Sequence, residues 1–271
     1  MNSAIREWLN LGVRWFHVFA GILWVGQTYY FTWLDGQFSK AEKSATDGKS
    51  STVWMVHSGG FYTVEKQKSL SVSPELVRWF RWEAMLTWLS GLVLLTLVYY
   101  ATSGLIDPDV AQISQGRGIA VGIAVLVGGW GIYDLAVRST LGKSEAGFAV
   151  FAFLMTAAIS WGLLHVFSAR AAYLHVGALF GTIMTLNVWE RILPAQRKMI
   201  AAAAKEDAFD LRLSAQAKLR SKHNTFMAVP VVFLMISNHF PVATYGNANS
   251  WEILLALVLI GWTASKVVRS A

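Results

Sequence analysis

Apolar positions in this chain neither alternate nor recur briefly at helical spacing; they run on for about twenty residues at a time and then give way to polar, basic stretches. A helix needs about 20 apolar residues to cross the hydrocarbon core of a bilayer. On that scale the pattern predicts seven spans, over residues 8–34, 82–102, 119–137, 146–167, 171–193, 223–238 and 251–268. The sixth is short and contains Pro230. No internal repeat or low-complexity tract divides the chain, so residues 1–271 read as one integral membrane domain, an all-α polytopic transmembrane bundle. The first apolar stretch is too long for a cleavable leader and reads as a span.

Two connections are more than links. Residues 35–81 form a long loop. It opens polar and turns, from Val53, into a mixture of aromatics, glycines and one histidine that reads as an ordered lid. Residues 194–222 are basic and amphipathic, with a surface helix expected from 199 to 222.

Composition supports the class. The chain is 55% hydrophobic and 14% charged, and soluble domains usually carry far more charge. Its 13 tryptophans suit bilayer interfaces. A net charge of +7 would fit nucleic acid, but the basic residues sit in the loops, where anionic headgroups favour them, so no nucleic-acid partner is expected. In the seven-span arrangement nineteen of the 23 lysines and arginines fall on one side. The positive-inside rule then places both long loops and the C-terminus in the cytoplasm and the N-terminus outside. With no cysteine, these residues hold no disulfide, thiolate-bound metal or covalent haem.

Ionisable residues inside spans are functional candidates. His17 lies deep in the first span with Gly21 four residues on, and His175 opens the fifth with Gly177 and Gly181 beside it. Glycine beside a membrane histidine lets a flat macrocycle approach, and neutral imidazole ligates iron, so His17 and His175 are candidate axial ligands of a b-type haem. The same glycines also form a small-xxx-small packing pattern, and the histidines could equally bond across helices. His165 and His239, near span ends, read as interfacial. Glu83 opens the second span as either a buried proton acceptor or a helix-terminal charge. Asp134 and Asn187 read as polar bonds between helices. In the lid, His57, Gly59, Gly60, Tyr62 and Lys66 are candidates for anion binding, since successive glycines expose backbone N–H groups; a tight turn beside a headgroup-binding stretch is the other reading. His223, after a basic run, is a candidate base or an ordinary helix cap.

Taken in order, several motifs resemble the membrane-bound, cytochrome-c-linked urate oxidase (urate hydroxylase) family. They are Trp15-Phe-His17 with Ala20-Gly21 and Trp24-Val-Gly26; His57-Ser-Gly-Gly-Phe-Tyr62 with Glu65-Lys66; and Arg81-Trp-Glu83 with Thr87-Trp-Leu-Ser-Gly91. The series continues through Tyr133-Asp134, Arg170-Ala-Ala-Tyr-Leu-His175-Val-Gly177, Gly181-Thr-Ile-Met184, Pro194-Ala-Gln-Arg-Lys-Met199, His223-Asn-Thr225 and Ser237-Asn-His239-Phe-Pro241. The resemblance implies an enzyme of the bacterial cytoplasmic membrane that oxidises urate to 5-hydroxyisourate in purine breakdown and passes electrons to a cytochrome c. His57, Glu83 and His223 would then be catalytic, with Gly59, Gly60, Tyr62 and Lys66 holding urate. Family members continue into a further helix and a cytochrome c domain; this chain lacks cysteine, so a separate c-type cytochrome is the expected acceptor. The lid carries Ser58 where the family pattern has a third glycine. Two other functions fit the residues alone: a haem-binding oxidoreductase acting on a porphyrinogen or quinol, and a non-enzymatic membrane subunit or transporter.

Overall fold

A computed structural model describes residues 2–44, 52–66, 80–203, 205 and 210–270. Among them are seven helices in chain order: α1 (Ser3–Ser44), α2 (Trp82–Tyr100), α3 (Gln115–Arg138), α4 (Glu145–Leu164), α5 (Ala169–Ala203), α6 (Leu211–Ile236) and α7 (Ser250–Ser270). All but α6 are long and apolar enough to cross a membrane. The first half of α6 carries Arg212, Lys218, Arg220 and Lys222, so its apolar run begins only near Thr225.

The expected ends of three elements shift. The first helix does not stop at residue 34; it runs on to Ser44, 42 residues in all, or about 63 Å at ~1.5 Å per residue. Asp35, Ser39, Lys40 and Lys43 extend it as a polar continuation, so the expected 35–81 loop begins as helix. The surface helix expected over residues 199–222 is instead the end of α5 and the beginning of α6. Within the long connection the segment expected to be a lid is an antiparallel hairpin, β1 (Thr52–His57) and β2 (Gly60–Glu65), paired from Thr52↔Glu65 to His57↔Gly60. Its two-residue turn needs left-handed backbone at both positions, and Ser58 (φ 48°) and Gly59 (φ 77°) supply it. Serine therefore does adopt the conformation that a glycine would hold more easily.

Helix α5 is the centre of the bundle and packs against α2, α3, α4 and α6, while α1 lies outside, against α2, α6 and α7. Residues Ala171, Ala172, Tyr173, His175, Val176, Leu179, Ile183 and Met184 of α5 are all buried. Small residues bring the helices together, as expected where no water drives association. A Cβ on Gly177 would lie 2.8 Å from the Met235 methyl of α6, and one on Gly261 of α7 would lie 2.8 Å from the Pro230 ring. α5 widens to a π-helical turn at Asn187–Ile192. Such turns often mark functional positions because they rotate the following side chains.

Candidate functional site

Besides the surroundings of His17, three polar groups stand out among the described residues. Nearest the α2 C-terminus is His175, which is fully buried. Its Nδ1 donates to the Ala171 carbonyl at 2.7 Å, which leaves Nε2 to accept from the Tyr100 hydroxyl at 3.1 Å. Phe167, Tyr99 and Tyr100 surround the ring. A Cβ on Gly122 of α3 would come within 2.9 Å of Nε2.

His17 is elsewhere. Its Nδ1 donates to the Thr87 carbonyl at 2.9 Å and lies 3.0 Å from the Ser90 hydroxyl, on a different level of α2. Ser90 and Tyr100 are ten positions apart, roughly 15 Å along a helix. Axial ligands must flank one iron. A haem shared by His17 and His175 therefore does not fit: the two sit at different depths, and the only lone pair on His175 is taken by Tyr100. Of the neighbouring glycines, Gly21 faces the Thr87 methyl at 3.9 Å and Gly177 faces α6, while nothing lies within 4 Å of a Cβ on Gly181.

The second group surrounds Asp134 of α3. Arg191 of the π turn binds its carboxylate through two nitrogens, at 2.8 and 2.6 Å, and Arg220 of α6 binds it at 2.6 Å. Arg138 adds a longer contact at 3.6 Å. Arg220 also donates to Asn187 Oδ1 at 3.1 Å. A guanidinium only donates, so this fixes the orientation of the Asn187 amide. Asn187 Nδ2 then donates to the Tyr133 hydroxyl at 2.9 Å and to Asn224 Oδ1 at 2.9 Å. The Tyr133 hydroxyl is hydrogen-bonded to His223 Nδ1 at 2.8 Å, and the imidazole stacks on Phe148. His223 thus faces α3 and α4 at the end of this hydrogen-bond network. Asp134 and Asn187 do bond between helices, but as members of one network with three guanidinium groups.

The third group is a cavity of about 810 Å³ between α1, α5, α6 and the foot of the hairpin. Among the described residues of its wall six are basic (Lys40, Lys43, Lys66, Lys218, Lys222 and Arg269) and one, Asp35, is acidic. Lys66 lies 3.1 Å from Asp35, and Lys222 lies 2.5 Å from Glu145. Trp24, Phe31 and Phe80 give flat apolar surface, and Gln27, Thr28, Thr32, Gln196 and Asn224 give hydrogen-bonding groups. Val188 and Ile192 of the π turn reach the wall, so the turn joins the cavity to the Asp134 network.

Of the residues singled out from sequence, Lys66 alone lines this cavity. His57 and Gly59 are exposed at the hairpin turn, Gly60 packs on the Tyr62 ring, and Tyr62 is half exposed on β2. Glu83 sits in the first turn of α2, where Arg81 lies over the Trp82 and Trp189 rings. His165 bonds the Trp161 carbonyl at an exposed helix end, and His239 is exposed. The wall itself was missed, although Thr28, Thr32, Asp35 and Ser39 make a polar stripe at helical spacing along α1.

No curated protein and no solved structure matches the chain. A family model described as urate oxidase N-terminal matches residues 3–270, nearly the whole length, and the protein therefore belongs to the urate oxidase N-terminal family.

Proposed function

We propose that this chain is the membrane part of a urate-oxidising enzyme and that urate binds in the cationic cavity between α1, α5 and α6. The observation that carries this reading is six basic residues against one carboxylate among the described residues of the wall, combined with flat aromatic surfaces. Urate is a planar anion at neutral pH with alternating N–H and C=O groups around its rim. Aromatic faces from Phe31, Phe80 and Trp24 suit its plane, Gln27 and Gln196 can pair with its rim, and the lysines balance its charge.

Urate and water give 5-hydroxyisourate, two protons and two electrons. The proton from the attacking water needs an acceptor, and Asp35 is the carboxylate among the described residues of the wall. The electrons leave one at a time to a separate c-type cytochrome. Because His17 and His175 do not fit a shared haem, no step is assigned to one. The excess of lysine and arginine at the end of the bundle holding the cavity supports a cytoplasmic opening in a bacterial inner membrane.

The test uses purified protein in lipid nanodiscs with urate and a soluble c-type cytochrome. Two cytochromes should be reduced for each urate consumed, and turnover should be negligible without an acceptor. Sustained turnover with oxygen alone would overturn the acceptor, and failure of well-folded protein to consume urate with any acceptor would overturn the enzyme.

A further inference from the structure

The β1–β2 hairpin lies in the segment expected to form an ordered lid of a cytoplasmic loop. Its attachment to α1 points elsewhere. At the foot, Lys66 Nζ lies 3.1 Å from Asp35 and 5.7 Å from the centre of the Phe38 ring. Further along, the Tyr30 hydroxyl donates to the Met55 sulfur at 3.3 Å, and Met55 pairs with Tyr62. Tyr30 precedes Asp35 by five residues, about 7.5 Å along the helix, toward the apolar stretch of α1. The turn at Ser58 and Gly59 lies beyond Met55, farther still from Lys66. The hairpin therefore folds back along α1 toward its membrane-spanning part.

Its chemistry agrees. No Asp, Glu, Lys or Arg occurs from Val53 to Val64, and the charges Glu65 and Lys66 stand at the foot. Side chains alternate across the ribbon. Val53, Met55 and Val64 are half-buried, while Trp54, Val56 and Phe61 are 71%, 70% and 77% exposed on the other face. On the helices beside the hairpin, Tyr30 and Trp33 of α1, Phe80 just before α2 and Trp82 at its start are also large and exposed, with Phe80 packed on Phe31 at 5.0 Å. Aromatic side chains collected at one level of a bundle are the signature of a membrane–water interface. A two-stranded ribbon has unpaired backbone groups along both edges, which headgroups and interfacial water can satisfy but acyl chains cannot.

We propose that the hairpin is an interfacial anchor: Trp54, Val56 and Phe61 lie in the lipid of the leaflet where α1 ends, and the foot at Lys66 ties this anchored ribbon to the wall of the cavity. The partner is the bilayer itself, at headgroup to upper acyl depth. This inference is independent of what the cavity binds.

The absence of cysteine makes the test direct. Trp54→Cys, Val56→Cys and Phe61→Cys, each labelled with bimane, are reconstituted in phosphatidylcholine vesicles, with Lys205→Cys as the water-exposed control. Only labelled proteins that elute as the wild type does are read, and three sites guard against one variant misfolding. Lipids carrying a doxyl group high on the chain should cut hairpin emission about twofold, and aqueous iodide should have little effect, with the reverse at position 205. Iodide quenching of the hairpin labels would restore the aqueous lid and overturn the anchor. Resistance to both quenchers would mean that protein, such as a second copy, covers this face, and would overturn it equally.

Discussion

Helices α1 and α5 have almost the same mean hydropathy, yet only 11% of the apolar window of α1 is buried against 78% of that of α5. Hydrophobicity therefore marks both as spans and says nothing about which one is central. The kind of residue does. Outward positions of α1 carry Trp8, Trp15, Phe19 and Ile22, large groups that lipid accommodates freely. The inward positions of α5 mix large apolar groups such as Tyr173, Leu179 and Ile183 with small or polar ones, Gly177, Thr182, Thr185 and Asn187, and the latter let four helices close in and bond to one another. In a bilayer the interior is told from the exterior by polarity and size.

Mutations can break or sharpen that contrast. The largest effect should come from Asp134→Ala, which leaves three guanidinium groups without their carboxylate and Arg220 buried. Removing one partner of a buried ion pair costs about 3–5 kcal/mol, so the variant should unfold at a much lower temperature than the wild type in a detergent melt followed by size exclusion. Gly122→Ala should come next. Its methyl would lie 2.5 Å from the Tyr100 oxygen and 2.9 Å from His175 Nε2, an overpacking cost of about 1–3 kcal/mol in the same assay. The smallest effect should be that of Ile22→Ala on the outward face of α1, within about 0.5 kcal/mol. A large loss there would show that protein, not lipid, covers that face.

Much of this fold was legible. Seven apolar runs became seven helices, and even the sixth, broken by proline and led by basic residues, is a helix that starts outside the apolar zone. Helix ends were less legible, since the polar face of α1 continues the helix past Leu34 as amphipathic structure. The hairpin was hidden because two short strands of mixed aromatics give no long periodicity. For the site, sequence picked out histidines and glycines, the residue types with distinctive chemistry. The structure instead gathers lysines, glutamines and threonines from four distant segments, each ordinary in its own context. His17 and His175 look alike in sequence, each with glycine nearby, but depth in a bundle depends on which helix face and which partner each meets. Arg191 and Arg220 read as loop charge because the need of Asp134 for partners can be seen in the sequence, while its choice of partner cannot.

Urate binding to the cavity is tested most directly by equilibrium binding to nanodisc-embedded protein, comparing the wild type with Lys43→Glu/Lys218→Glu. These two exposed lysines lie on opposite walls, on α1 and α6, and take no part in the Asp134 network. Reversing both charges should weaken urate binding at least about tenfold, roughly 1.4 kcal/mol, while leaving the melting temperature unchanged and binding weakened less at high salt. Unchanged affinity in a folded double variant would contradict the cavity as the urate site.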